Sequence, residues 1–147
     1  MMDIPAYETD NIFARIIRGE IPNTTVYEDE DVLSFMDLFP QSEGHTLVIP
    51  KKAEAVNFLD IDPNILGVLI QRTQIIATAI NTALRPDGIR LIQFNGEAAG
   101  QTVFHLHFHI IPVWQNANMK PHADSSGNGQ ADPVTLQKLA ERIKACL

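Results

Sequence analysis

The sequence predicts one domain of the α+β class, in which an antiparallel sheet carries helices on one side. Two observations lead to this expectation: the first β-rich segments are joined by links of hairpin length, and one long central segment has apolar residues at helical spacing. The 147 residues suffice for a single buried core, and 45% hydrophobic and 20% charged residues are close to the globular average.

The N-terminal third of the chain predicts a short helix and a hairpin. Residues 1–9 are polar and are expected to form a loose lead-in. Asp10 is placed to cap a helix that Gly19 ends. Segments 24–27 and 32–36 are rich in β-formers and flank a polar turn, so we expect them to pair as antiparallel strands.

The middle of the chain predicts a third strand and the longest helix. Residues 45–49 have strand character, and residues 53–59 could form a short helix. Asp62 followed by Pro63 is a strong helix start, because a carboxylate caps well and proline is favoured at the first helical position. Apolar residues then recur at helical spacing to about Leu84.

The C-terminal half predicts two more strands and a final helix. Strands are expected over 89–94 and 102–113, with a glycine-containing turn between them. Residues 115–130 are polar and lack apolar periodicity, which is typical of an excursion or linker. A helix is expected to begin at Asp132 and Pro133.

Composition excludes several classes of function. A net charge of -7 argues against binding of nucleic acid through a broad positively charged surface. Cys146 is the only cysteine, which excludes an intrachain disulfide or a cysteine-based zinc cluster within one chain. The sequence has neither an apolar run of the roughly 18 residues that a membrane span needs nor the pattern of a signal peptide. We therefore expect a cytoplasmic protein without a membrane partner.

An alternating run of histidines is the most informative motif. His105, His107 and His109 are three of the five histidines in the chain, and apolar residues separate them. On a strand, alternate side chains share a face, so the three imidazoles are expected on one side. Burying three imidazoles without partners would be costly, which indicates a functional role.

Two kinds of chemistry fit this run. A metal site is one, but His105 and His109 would lie about 13 Å apart on a straight strand, so the metal would need other ligands, such as His45 or a carboxylate. Nucleophilic catalysis at phosphorus is the other, because a neutral imidazole is a nucleophile and its neighbours can supply protons. The preceding segment, residues 95–102, offers main-chain N–H groups, amides and a hydroxyl to phosphate oxygens.

These residues resemble the histidine triad (HIT) family, whose signature is His-φ-His-φ-His-φ-φ with φ apolar. Residues 105–111 fit every position, and the likeness spans about residues 10–113. It is strongest toward the Hint branch, the purine nucleoside phosphoramidases. Residues 114–147, the polar excursion and final helix, carry no motif of the family. The resemblance implies the HIT fold: an antiparallel sheet of about five strands, one long and several short helices, and a homodimer that extends the sheet.

The resemblance also implies roles for individual residues. His107 would attack the α-phosphate of a nucleotide, and His109 would contact the phosphate and help the leaving group accept a proton. His105 would support the row of three triad imidazoles, and His45 matches a fourth active-site histidine of the family. The implied substrate-binding residues are Asn95, Gly100, Gln101 and Thr102 for the phosphate side, Asp37 for the ribose, and Phe13, Phe35 and Leu38 for the base.

The implied function is hydrolysis or transfer at the α-phosphate of a purine nucleoside phosphoramidate or related nucleotide, without a cofactor. A dinucleoside polyphosphate hydrolase and a nucleotide-binding or partner-regulating module with little turnover are the alternatives. Several HIT relatives bind a structural zinc ion, but the matching positions here are Asn11, Ala14 and Ala53, which leave only His105 as a ligand. We therefore expect no zinc.

Overall fold

The computed structural model describes residues 1–119 and 129–147. Most of the predicted polar excursion therefore lies outside the described residues. The elements are α1 (Ile12–Ile17), β1 (Thr25–Glu28), β2 (Val32–Met36), β3 (Thr46–Pro50), α2 (Pro63–Leu84), β4 (Gly88–Ile92), β5 (Phe108–Val113) and α3 (Pro133–Lys144), with a 3₁₀ turn over Glu97–Ala99. The predicted α+β class is confirmed.

The five strands form one sheet in the order β1-β2-β3-β5-β4, and every neighbouring pair is antiparallel. In the centre of the sheet Phe35 pairs with Leu47, and Leu47 pairs with His109. This register places the three side chains on the same face, because directly paired residues project to the same side. The other edge of β5 pairs with β4, so β1 and β4 are the outer strands.

The sheet has a core on each face. The larger core lies under α2 and α3 and includes Val48, Ile76, Ile110 and Leu136. The smaller core lies under α1, where Phe13 and Ile16 pack against residues of β2 and β3. The expectation that helices cover only one side is therefore wrong: the strands alternate buried residues between two cores.

The helix ends follow the capping rules, with one correction. The Asp62 side chain accepts hydrogen bonds from the Asn64 and Ile65 N–H groups, as predicted for the start of α2. At α1 the cap is Asn11 and not Asp10: the Asn11 Oδ1 atom accepts from the Phe13 and Ala14 N–H groups, both at 3.0 Å. Two adjacent capping residues compete here, and the chain uses the second.

Two other elements differ from the sequence prediction. Residues 53–59 form turns and not a helix, since the Asp60 carboxylate takes the Val56 and Asn57 N–H groups that a helix would use. The strand expected over 102–113 begins only at Phe108. Before that point the chain leaves the sheet, and the Leu106 N–H donates to the Ala55 carbonyl instead of a strand partner.

The final helix is part of the main core. Leu136, Leu139 and Ile143 are buried among residues of α2 and the sheet. Arg142 Nη2 also donates to the Ala83 carbonyl at the end of α2, at 3.2 Å. Across residues 1–119 and 129–147, none of the helices is both long enough and apolar enough to cross a bilayer.

Candidate active site

A cavity lies between α1 and the sheet, on the face opposite the long helix. Its wall is largely apolar, and its polar lining includes Asp37, Thr102, His107 and His109. Seven residues named from the sequence are brought together in its lining: Phe13, Phe35, Asp37, Leu38, Thr102, His107 and His109. The positions proposed for the base and the ribose therefore face one space together with His107 and His109, whereas the other two proposed catalytic histidines, His45 and His105, do not line it.

The main chain holds the neutral His107 ring in one tautomer. Its Nδ1 atom lies 2.7 Å from the His105 carbonyl oxygen. A carbonyl oxygen can only accept, so the Nδ1 atom carries the proton and Nε2 is the unprotonated nitrogen of the neutral ring. Phe13 packs edge to face against this ring, with the two ring centroids 5.0 Å apart. The centroids of the His107 and His109 rings are 4.9 Å apart. The ring is thus oriented and nucleophilic at Nε2.

His45 and His109 form a directed pair. The Gln41 N–H donates to His45 Nδ1 at 3.0 Å, so the proton of His45 resides on Nε2. That Nε2 lies 2.9 Å from His109 Nδ1 and 3.3 Å from Asp37 Oδ2. His109 Nδ1 therefore accepts, and the proton of neutral His109 is on Nε2. In this arrangement His109 is a hydrogen-bond donor in the cavity, whereas His107 offers a lone pair.

His105 occupies a different environment from the other two triad residues. Its Nε2 atom lies 3.0 Å from the Pro50 carbonyl oxygen, and its Nδ1 atom lies 2.7 Å from the Tyr7 hydroxyl. Burial lowers the pKa of His105 to about 4, against a smaller opposing effect of the hydrogen bond to Pro50. His105 precedes β5, so the three imidazoles do not form a row on one strand. Its contact with His107 is through its carbonyl group.

The residues that the sequence proposes for the ribose and the base line the cavity. Asp37 Oδ1 accepts from the Phe39 N–H at 2.8 Å, while Oδ2 faces His45. Phe13 and Phe35 pack edge to face, with centroids 5.4 Å apart, and both are buried. Leu38 is 40% exposed and so lies at the rim.

Two of the proposed phosphate-side residues, Gln101 and Asn95, have structural contacts instead. The Gln101 amide donates to the Val56 carbonyl at 2.7 Å and the Val103 carbonyl at 3.1 Å, and its Oε1 accepts from the Gly96 N–H at 2.9 Å. Asn95 Oδ1 accepts from the Phe58 N–H at 2.9 Å. These contacts connect the loop before the triad to residues 56–58, and they use the polar groups that the sequence assigns to phosphate.

Gly100 acts through its backbone. Its φ of +109° is a conformation that other residues rarely adopt, and an added Cβ would lie 3.4 Å from the Phe94 ring. Phe94 in turn packs edge to face on His109, with centroids 5.5 Å apart. Gly100 therefore shapes the loop that leads to Thr102, which lines the cavity.

Asp37, His45 and His109 also satisfy the distance requirement for a metal site, with possible ligand atoms within 4.8 Å of one another. The donor set fits poorly, however. A metal needs a lone pair on His45 Nε2, but the Gln41 N–H takes the lone pair of Nδ1 and leaves the proton on Nε2. The three groups fit a shared proton better than an ion.

The sequence analysis did not identify two contributors to the site. Tyr7 lies in the segment expected to be loose, 98 residues before its partner His105. The Gln41 N–H lies in a loop and determines the tautomer of His45. Neither has a local signal, because both contacts arise from the tertiary fold.

Known proteins give an independent comparison. The family model described as "HIT domain" matches residues 18–116. The crystal structure of a Hit-like protein involved in cell-cycle regulation from Bartonella henselae is 46% identical and has a TM-score of 0.87, covering 97% of this chain and 100% of that one. A Zn-bound histidine triad family protein from Mycobacterium smegmatis is 31% identical with a TM-score of 0.75, covering 94% and 93% of the two chains.

Among characterised proteins, the chain is 32% identical to adenylylsulfatase HINT3 of Arabidopsis thaliana over 146 residues, which cover 95% of this chain and 68% of that protein. The matches span the sheet, the cavity and the triad, and they agree with the geometry described above. The chain belongs to the histidine triad (HIT) family, in its Hint-like branch.

Proposed function

We propose that this protein hydrolyses or transfers purine nucleotides by covalent catalysis at the α-phosphate, with His107 as the nucleophile. The observation that carries the proposal is the hydrogen bond between His107 Nδ1 and the His105 carbonyl. This bond leaves Nε2 as the attacking atom, in a ring that lines the cavity. Purine nucleoside phosphoramidates are the substrates that we propose first.

The chemistry requires two displacements. In the first, His107 Nε2 forms a bond to the α-phosphorus, and the bond from phosphorus to the leaving group breaks. The His105 carbonyl accepts a hydrogen bond from Nδ1–H throughout, which stabilises the positive charge that the ring gains on bonding to phosphorus. An amine leaving group takes the His109 Nε2 proton as it departs. In the second displacement, water replaces His107 on phosphorus, returns a proton to His109 and releases the nucleoside monophosphate.

The other polar groups suit supporting roles. His109 Nε2–H can donate to an α-phosphate oxygen or to the departing group. The Thr102 hydroxyl is a second donor in the same lining. Asp37 can accept from the ribose hydroxyls, because a carboxylate has further lone pairs beyond the one that the Phe39 N–H uses. The apolar rings of Phe13 and Phe35 provide a wall for a purine base.

The test is turnover of an adenosine phosphoramidate by wild-type protein and by His107→Ala. We expect His107→Ala to lose several powers of ten in rate, because the covalent route is removed, while it keeps its melting temperature and AMP binding. Mass spectrometry of acid-quenched wild-type protein should detect AMP bound to a peptide that contains His107. A variant that retains a tenth of wild-type turnover would contradict the nucleophile assignment.

Adenylyl sulfate is a second candidate substrate. The Arabidopsis relative named adenylylsulfatase aligns with nearly the whole chain. Sulfate departs without a proton, so this substrate places no demand on His109 as a proton donor. Side-by-side turnover of a phosphoramidate, adenylyl sulfate and a diadenosine polyphosphate separates these activities. Binding of AMP without turnover of any of them would favour a regulatory module.

A further inference from the structure

The segment that precedes α1 reaches the catalytic histidines. Residues 1–9 have neither helix nor strand, and most of them are exposed, but Tyr7 is half-buried. Its hydroxyl oxygen lies 2.7 Å from His105 Nδ1, and the two rings are 5.7 Å apart between centroids. Ala14 and Ala53 line the same small cavity, and their short side chains leave room for the phenol ring.

The direction of this hydrogen bond follows from the other side of the imidazole. His105 Nε2 faces the Pro50 carbonyl, which can only accept, so the single proton of neutral His105 is on Nε2. His105 Nδ1 must then accept, and the Tyr7 hydroxyl donates. Burial keeps the pKa of His105 at about 4, so the ring is neutral near pH 7 and the same direction holds there.

The position of His105 matters because its carbonyl fixes the nucleophile. The carbonyl oxygen accepts from His107 Nδ1 at 2.7 Å. Residue 105 lies ahead of β5 and so lacks the strand pairing that holds His109. Its position depends on the two hydrogen bonds of its own ring and on the Leu106 N–H, which donates to the Ala55 carbonyl.

We propose that Tyr7 is a positioning residue: its hydroxyl holds His105 in the orientation from which the His105 carbonyl keeps the proton on His107 Nδ1. The N-terminal segment is thereby a part of the catalytic apparatus, although Tyr7 itself touches neither substrate nor the reacting atoms. The kinetic consequence rests on the function proposed above, whereas the structural consequence at His105 does not.

The test replaces Tyr7 by Phe in the full chain. The matched control is Tyr27→Phe, which also removes one half-buried phenolic hydroxyl, in this case the donor to Asp29 at 2.7 Å. We expect Tyr7→Phe to lower kcat about tenfold with little change in KM, because it disturbs the orientation of His107 and not the cavity that would bind the nucleotide. Tyr27→Phe should leave kcat unchanged, since Tyr27 is remote from the cavity.

A spectroscopic measurement gives a result that does not depend on turnover. In wild-type protein the ¹⁵N resonance of His105 Nδ1 should have the position of an unprotonated nitrogen that accepts a hydrogen bond. In Tyr7→Phe it should move toward the position of a nitrogen without a donor. The same resonance in Tyr27→Phe should stay where it is in the wild type.

A second variant distinguishes the hydroxyl from the ring. Tyr7→Leu removes both, so it should lose at least as much kcat as Tyr7→Phe. Wild-type kcat in Tyr7→Phe together with a loss in Tyr7→Leu would mean that only packing matters, and the proposal would be overturned. An unchanged His105 Nδ1 resonance in Tyr7→Phe would overturn it as well. If His107→Ala remains active, the proposed function fails instead, and the resonance still decides the role of Tyr7.

Discussion

Gln101 provides the sharpest test of whether a polar residue beside the triad binds ligand or holds the loop. The side chain is 2% exposed and makes hydrogen bonds to three main-chain groups, those of Val56, Gly96 and Val103. We therefore expect substitution to affect the free energy of unfolding first. Gln101→Met keeps most of the side-chain volume and removes all three hydrogen bonds.

The magnitude follows from the count of bonds. Each buried hydrogen bond contributes about 1 kcal/mol, so Gln101→Met should lower the free energy of unfolding by about 3 kcal/mol. The entropy of unfolding is about 2 cal/mol/K per residue, or about 0.3 kcal/mol/K for a chain of this size. The melting temperature should then fall by about 10 °C. The melting temperature of Gln101→Ala should fall further, because this substitution also leaves a cavity.

The assay is thermal unfolding followed by circular dichroism, together with a nucleotide titration at a temperature where all variants are folded. Gln137→Met is the control, because Gln137 is exposed on α3 and its amide contacts only Glu141 among the described residues. That control should change the free energy of unfolding by no more than about 0.5 kcal/mol. If Gln101→Met melts like wild type while its affinity for AMP collapses, Gln101 binds phosphate directly and the reasoning fails.

Four further results are expected. His109→Ala should lose more turnover with a basic amine leaving group than with sulfate, because its Nε2–H is a donor to the departing group; equal losses would exclude that role. Burial opposes ionisation of Asp29, but its hydrogen bonds with Arg72 and other donors outweigh this and hold its pKa below the usual value. Ionised Asp29 therefore stabilises the folded protein above about pH 4, and this stabilisation is lost as the pH falls further and the carboxylate is protonated. The difference in melting temperature between wild type and Asp29→Asn should shrink from pH 6 to pH 2. The protein should be a dimer by light scattering, and Leu91→Lys on the outer strand β4, where Leu91 is 50% exposed, should yield monomers. Metal analysis of untagged protein should find no stoichiometric zinc, and zinc that survives chelator dialysis would contradict this expectation.

The sequence predicts those elements whose signals are local. Val32–Met36 and the start of α2 at Asp62 are correct because β-forming residues such as Val32 and Phe35 and a capping carboxylate act over a few residues. The helix expected over 53–59 fails because one later carboxylate, that of Asp60, takes its N–H groups. The strand expected over 102–113 is too long because alternation continues into residues that have no partner strand to pair with.

The same distinction between local signals and long-range contacts applies to the site. His107, His109, Asp37 and the two phenylalanines meet in one cavity because each lies on a regular element or at its end. Gln101 is different: an amide in a glycine-containing loop suggests a ligand when only its neighbours in sequence are known. Its actual partners include the carbonyl of Val56, which is 45 residues away. Tyr7 and His105 are still further apart, so no local pattern identifies them.

Chemically identical side chains acquire different roles here because the main chain assigns their protons. The Pro50 carbonyl places the proton of His105 on Nε2, and the His105 carbonyl places that of His107 on Nδ1. The Gln41 N–H does the reverse at His45, where an occupied Nδ1 forces the proton to Nε2 and makes His109 an acceptor at Nδ1. These main-chain groups do not titrate, so they hold the neutral rings in these tautomers. The neutral His107 ring thereby presents a lone pair at Nε2 and the neutral His109 ring presents an N–H at Nε2, a difference that would be lost if the rings exchanged tautomers freely.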